Sequence, residues 1–347
     1  MSKRKVELEL IDATDLISTD ESGVKFDELL RRILSTCATA EHYLIVPEEN
    51  SSGCCCFTST DGVVDTEELS EELRNQLRRF VKVSDKYLRL MSLLLKSRAF
   101  YQTYPSIKSD IPDDASLPVV DLPRTEEGRP YIPVAKGSLP DTSFSISHQH
   151  PYIGIARAPS DVKVGLDIVT FDTVNQNLYR NEMEFIDVFR LNFTKSEWDS
   201  IVDHEGDDML NEFYLRWAIK EAYTKAQGRG MSLEFDSFET TLYDEDGIAI
   251  ASIWNHAIMH ISATGTRLSA RIFHNENDQA EHWDFCFCFF GFASASASIN
   301  AGKKQGCACV CIPASDKEGG LAMNCQWLEA NYILTWHLSG DYHNYYY

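Results

Sequence analysis

FYLRWAIKEAYTKAQGRG, residues 213–230, reads as a helix with one discordant stripe. Ala, Leu, Ile, Lys and Glu favour helix, and Gly228 and Gly230 suit a left-handed cap at its end. Phe213, Trp217, Glu221 and Lys225 are spaced four apart, so they share one slowly drifting row. The aromatic half of that row belongs inside, which puts Glu221 where a buried face meets something else. Taken alone, Glu221 and Lys225 make a helix-stabilising pair worth about 0.3–0.5 kcal/mol. Only a partner elsewhere in the chain gives them another task.

The flanking sequence supplies the surroundings. In FTKSEW (193–198), Thr194 and Glu197 fit a capping box and Phe193 with Trp198 its hydrophobic staple, so a helix starts there. The acidic loop DHEGDD (203–208) leads from it into the quoted helix. Upstream, SFSISHQHPYIGIARA (143–158) and DVKVGLDIVTF (161–171) read as strands. In the second, Val162, Val164, Leu166 and Ile168 take one face and Gly165, Asp167 and Val169 the other. Residues 67–102 carry two helical stretches, the second with Leu88, Met91, Leu94 and Leu95 on one side. A Pro- and Asp-rich segment follows, with TEEG (125–128) as a turn. Downstream, residues 237–244, 248–254, 259–262 and 268–274 read as further strands. Mixed elements of this kind predict an α+β fold. Residues 1–70 read as a divergent, partly loop segment, and 293–347, opening on ASASASINAGKKQG, as a low-complexity tail. Between them lie halves at 71–160 and 161–292.

Composition narrows the function. The 347 residues hold 32 Lys and Arg against 53 Asp and Glu, a formal net charge of −21. Such a surface argues against nucleic acid or anionic membranes as partners. No run reaches the roughly 20 apolar residues of a membrane helix, and the start lacks a signal-peptide core. The expectation is a soluble, cytoplasmic monomer. The ten cysteines fall in CCC, CFC and CACVC clusters without zinc-site spacing, so they read as buried or idle thiols rather than metal ligands.

Three features converge on the quoted helix. Asp167 lies beside Gly165, which has no side chain to block close approach. SISHQ ends a strand with Ser147, His148 and Gln149. RTEEGRP places Arg124 and Arg129 on either side of a turn in a chain short of positive charge. Each alone has a plain structural explanation: a loop cap, a strand-end histidine, solvated hairpin charges.

Together, in order, VGLDI, WAIKEAYTK, FTKSEW, FSISHQ and GRPY resemble the Sfp-type 4′-phosphopantetheinyl transferases. The match is to the eukaryotic branch that activates aminoadipate reductase in lysine biosynthesis, over about residues 75–290. The resemblance implies two pseudo-symmetric α+β halves with the active site in their cleft. It implies transfer of the phosphopantetheine arm of coenzyme A to a serine of an apo carrier-protein domain (acyl, peptidyl or aminoadipate-reductase), as in a holo-acyl-carrier-protein synthase. Mg²⁺ would sit on Asp167 and Glu221, since it takes one or two carboxylates plus phosphate oxygens and water. Bacterial relatives often carry a second acid where this chain has Val169; Gln149 is the natural substitute ligand. Glu221 doubles as general base, with Lys225 on the phosphates. Arg124 and Arg129 are candidates for the 3′-phosphate, and Ser147 and His148 for the adenosine–phosphate end. Lys220 either approaches the ligand or is a solvated neighbour. A helix arginine of the relatives has Arg89, Lys96 or Arg98 as its counterpart. The competing reading is an inactive relative that binds coenzyme A or carriers without transfer.

Carrier domains of this kind are acidic, as is this chain, so docking should rest on apolar contact with a few local cations. Carrier affinity should therefore change little between low and physiological salt; a steep loss in a binding titration would contradict this.

Overall fold

The computed structural model describes residues 4–20, 22–35, 37–40, 66–109, 111, 116–133, 142–259, 266–274, 277–292, 303–314 and 321–339. Its first strands are β1 (Arg4–Asp12), β2 (Cys37–Thr39), β3 (Val119–Asp121), β4 (Thr142–Gln149) and β5 (Tyr152–Pro159). They are followed by β6 (Gly165–Thr170), β7 (Phe238–Tyr243), β8 (Thr266–His274), β9 (Asn277–Phe290), β10 (Gly306–Pro313) and β11 (Leu321–Glu329). The helices begin with α1 (Thr14–Ser18), α2 (Val24–Ile33), α3 (Thr66–Arg78), α4 (Val83–Thr103) and α5 (Pro105–Ser109). Then come α6 (Glu182–Asp187), α7 (Lys195–Val202), α8 (Gly206–Gln227), α9 (Ile253–Met259) and α10 (Ala330–Ser339). The mixture is the α+β class that the sequence predicts. No helix among the described residues is long and apolar enough to cross a membrane.

The chain divides into two compact units, one of Met1–Leu8, Phe144–Gln149 and Ile155–Cys325, the other of Glu9–Ser143, His150–Gly154 and Gln326–Tyr347. The first is built on an antiparallel sheet of order β6-β10-β9-β8-β7. Helix α8 lies on one face of it. Leu215, Ala218, Ile219, Ala222, Tyr223 and Ala226 form one core with Phe285 and Phe287 of β9 and Cys307, Cys309 and Cys311 of β10. Three alanines at four-residue spacing let the helix approach closely, and Gly165 lets it approach closest of all. A Cβ on Gly165 would stand 1.8 Å from the Ala222 carbonyl oxygen. The room left by that glycine is filled by α8, so β6 is buried on both faces rather than on one.

Helix α8 ends as expected, with Gly228 at φ 75°. The capping box of Thr194 and Glu197 at α7 is complete, and Phe193 packs against Trp198 with centroids 6.4 Å apart. The turn is closed by Gly128 N donating to the Thr125 oxygen at 2.9 Å.

Two expectations fail. Residues 248–254 are not a strand: Ile250 N bonds back to the Leu242 oxygen, and α9 starts at Ile253. The buried Glu212 carboxylate accepts from Trp254 N at 2.8 Å and Ser252 Oγ at 3.1 Å, giving that helix start the anion it favours. The segment read as a tail from 293 supplies β10, an interior strand of the sheet, and then β11 and α10. Alternate cysteines of CACVC act there as small hydrophobes beneath α8. The opening 70 residues, read as a partly loop segment, hold β1, α1, α2, β2 and the start of α3 among those described. The CCC cluster at 54–56, residues 260–262 and the aromatic terminus at 340–347 lie outside the described residues.

In the second unit, α4 is buried along almost its whole length. The Asp20 carboxylate, itself buried, accepts from Tyr87 Oη at 2.9 Å and from Lys25 N at 3.1 Å, anchoring the start of α2 to α4.

Replacing Gly165 by Ala should destabilise the protein by about 3 kcal/mol or more, because backbone must move to admit the methyl group. Urea unfolding of the G165A variant tests this; an unchanged midpoint would show that β6 and α8 are not in close contact.

Candidate functional site

Order β6-β10 leaves β6 at the edge of its sheet, with outward N–H groups that need acceptors. Two serines of β4, two residues apart and therefore on one face, provide them. Ser145 Oγ accepts from Leu166 N at 3.0 Å and Ser147 Oγ from Ile168 N at 3.3 Å. Ser147 then donates to Asp167 Oδ1 at 2.9 Å. The sequence offers this signal in the alternation of SISHQ, where it reads instead as part of a ligand subsite.

Across from β6, Lys225 Nζ lies 2.7 Å from Asp167 Oδ1, 3.1 Å from Ser147 Oγ and 3.8 Å from Glu221 Oε2. The two acids, 54 positions apart in the chain, thus share one ammonium nitrogen. Asp167 is buried, whereas Glu221 and Lys225 are half-buried on the only partly exposed row of α8, with Tyr214 and Trp217. Trp217 leads that row into an aromatic cluster with Phe189 at 5.4 Å and Phe235 at 5.2 Å. Burial pushes the Glu221 carboxyl above the usual carboxylate range; Lys225 opposes this and the neighbouring Asp167 adds to it.

Lys220 belongs to the fold. Its Nζ is buried against Glu197 Oε2 at 2.7 Å, donates to the Phe235 oxygen at 2.7 Å and lies over the Phe238 ring at 4.1 Å. Glu197 thus caps α7, pairs with Lys220 and also accepts from Thr240 N at 2.9 Å. His148 and Gln149 are exposed at the end of β4. Gln149 makes no side-chain hydrogen bond among the described residues, and Val169 is buried in the core beneath α8.

The second unit holds the remaining cations. Arg124 Nη1 donates to the Gly128 oxygen at 2.8 Å across its turn, and Arg129 follows, half-buried. Of the three helix candidates, Arg98 is engaged: it pairs with Glu9 at 3.3 Å and stacks over Tyr332 and Trp336. Arg89 and Lys96, two turns apart on α4, make no ion pair among the described residues. Lys96 is buried with no carboxylate within ion-pair distance among the described residues. Burial, reinforced by Arg89 and Arg124 and opposed by Asp121, lowers its pKa to about 8. A cleft of about 760 Å³ along α3 shares Arg89 but is rimmed by Glu68, Glu71 and Glu72; that rim suits no phosphate, and none of the α8 pair borders it.

No group of three or more His, Cys, Asp or Glu able to hold a metal occurs among the described residues. The donor set on β6 and α8 is two carboxylates, which matches a hard divalent ion completing its shell with phosphate oxygens and water.

Residues 163–282 match the 4′-phosphopantetheinyl transferase superfamily, and residues 60–160 match the family described as 4′-phosphopantetheinyl transferase, N-terminal. The chain is 26% identical over 193 residues to the 4′-phosphopantetheinyl transferase Sfp of Bacillus subtilis, covering 56% of this chain and 75% of that protein. It is 31% identical over 175 residues to the mouse L-aminoadipate-semialdehyde dehydrogenase-phosphopantetheinyl transferase, covering 49% of this chain and 52% of the relative. The human protein of the same name is 33% identical over 127 residues, 35% of this chain and 39% of its own length. The chain therefore spans about half or less of these two mammalian relatives.

Lys96 gives a test with a defined sign. The folded protein holds its proton less tightly than an ordinary lysine does, so the penalty is full below about pH 8 and fades as pH rises towards roughly 10.4. Lys96→Met should be more stable than the parent at pH 7, with the gap closing between pH 8 and 10 in urea titrations. A constant gap across that range would contradict a strained ammonium.

Proposed function

The chain belongs to the 4′-phosphopantetheinyl transferase superfamily, and from that membership and the site geometry we infer that it moves the phosphopantetheine arm of coenzyme A onto a serine of an apo carrier-protein domain. The observation that carries this reading is the convergence of Asp167 and Glu221 on Lys225. A binding module has no need of two acids and a cation gathered where β6 meets a half-open helix row.

In the reaction the serine oxygen attacks the phosphorus of coenzyme A that bears the pantetheine arm. The new P–O bond replaces the one to adenosine 3′,5′-bisphosphate, which leaves. Glu221 takes the serine proton, directly or through water. Asp167 and Glu221 are the residues that would hold Mg²⁺, which when bound neutralises the pyrophosphate charge as the bridge breaks. Lys225, positioned by Asp167 and Ser147, meets the same developing charge as a point cation. Gln149 would be a further ligand, directly or through water.

In the second unit, Lys96 with Arg89 and Arg124 takes a phosphate of coenzyme A, and Arg129 supports it. An anion at that point satisfies the ammonium that has no ion-pair partner among the described residues. His148, exposed next to Ser147, serves the adenosine–phosphate end. The acceptor is an acyl, peptidyl or aminoadipate-reductase carrier domain; the names of the mammalian relatives favour the last.

Incubation with Mg²⁺, coenzyme A and an apo carrier domain should add one phosphopantetheine to the carrier, read by intact mass, and excess EDTA should abolish it. Glu221→Gln and Lys225→Ala should each lower kcat/KM by about 10²–10³. Folded protein that binds coenzyme A but leaves every carrier unmodified would favour the inactive-relative reading. Full activity in both variants would overturn the roles given to α8.

A further inference from the structure

Strands β9 and β10 carry five buried cysteines, but they face two ways. Cys307, Cys309 and Cys311 point beneath α8, in one core with Phe285 and Phe287. By strand alternation, Cys286 and Cys288 lie on the opposite face of β9. There Cys288 Sγ meets Cys325 Sγ of β11 at 3.1 Å. Cys288 is buried and Cys325 partly exposed. No other pair of sulfurs is in hydrogen-bond contact among the described residues, and the site on α8 uses neither residue.

We propose that Cys288 and Cys325 are a redox pair, closing to a disulfide that ties β9 to β11 when the protein meets hydrogen peroxide. Closure needs the sulfurs to approach by only about 1 Å, to the 2.05 Å of an S–S bond. Solvent access comes from the Cys325 side. One thiolate attacks peroxide, giving a sulfenic acid and, after protonation of the leaving hydroxide, water. The second thiol attacks that sulfur, the S–S bond forms and a second water leaves, so two thiols and one peroxide give one disulfide and two waters. Cys325, the partly exposed thiol, is the sulfur that peroxide reaches, and Cys288, buried beside it at 3.1 Å, is the one that resolves it. The remaining described β9 and β10 thiols are pushed upward by burial, Cys286 to about 12, and stay reduced.

The test is thiol mapping on the full chain. Protein treated with stoichiometric peroxide, blocked with N-ethylmaleimide and digested should yield a peptide pair joining Cys288 to Cys325. Dithiothreitol should return both as alkylatable thiols. The partly exposed Cys325→Ser variant should lose that pair while keeping the parent's circular dichroism and Tm under reducing conditions. In the unmutated protein, peroxide should raise Tm and dithiothreitol reverse the rise. Both cysteines remaining fully alkylated at peroxide levels that oxidise other thiols, or Cys288 pairing elsewhere, would overturn the proposal. A linked pair with an unchanged Tm would overturn the claim that it ties β9 to β11. Neither readout depends on transferase activity.

Discussion

The contact on which the first unit turns is the 2.7 Å pair between Lys225 and Asp167. It exists because a glycine sits two residues earlier on the strand. Gly165 brings β6 against the backbone of α8 at Ala222 and Ala226. The strand period of two then carries Asp167 one pleat along, and the helix row next to those alanines carries Glu221 and Lys225. One close approach therefore sets the distance between chemistry-bearing groups that are remote in sequence. Ser147 completes the arrangement from β4 while satisfying the edge of the sheet.

Three cations of helix α8 are paired with acids, and their exposure separates their uses. Glu212 with Arg216 and Lys220 with Glu197 are sealed, at 0% and 7% and at 1% and 3% side-chain exposure. Each also satisfies backbone groups of a neighbouring element. Such pairs are costly to break because the surviving partner stays buried and unpaired. Lys225 is 27% exposed and Glu221 24%, so this pair alone can exchange protein partners for a ligand. The same helix is both the unit's spine and its reactive edge.

Much of this was legible before any coordinates. The i, i+4 row, the glycine caps, the capping box and its staple are local rules with fixed spacing, and each appears where the spacing puts it. Asp167 and Glu221 could be paired only through a family resemblance, since strand–helix proximity has no local signature. Lys220 was undecidable for the same reason: its partners, Glu197 and the Phe235 and Phe238 carbonyls, are set by tertiary packing. Residues 248–254 misled because an apolar run of that length does not separate strand from buried helix start. The deciding group, Glu212, lies 40 and 42 positions away from Ser252 and Trp254, whose hydrogen bonds it accepts. CACVC, read as buried or idle thiols, is buried; its place in a strand was missed because cysteine has no strand signature of its own, although its period of two is that of a strand.

The placement of β10 has a consequence in time. Among the described residues strand β6 has one ladder neighbour, residues 306–311, where Cys309 stands opposite Asp167. A growing polypeptide therefore completes residues 165–227 long before the segment that closes this edge leaves the ribosome. Until then the acid-bearing strand has an open flank that a foreign strand could occupy. Ser145 and Ser147, synthesised earlier, are positioned to shield its other flank during that wait.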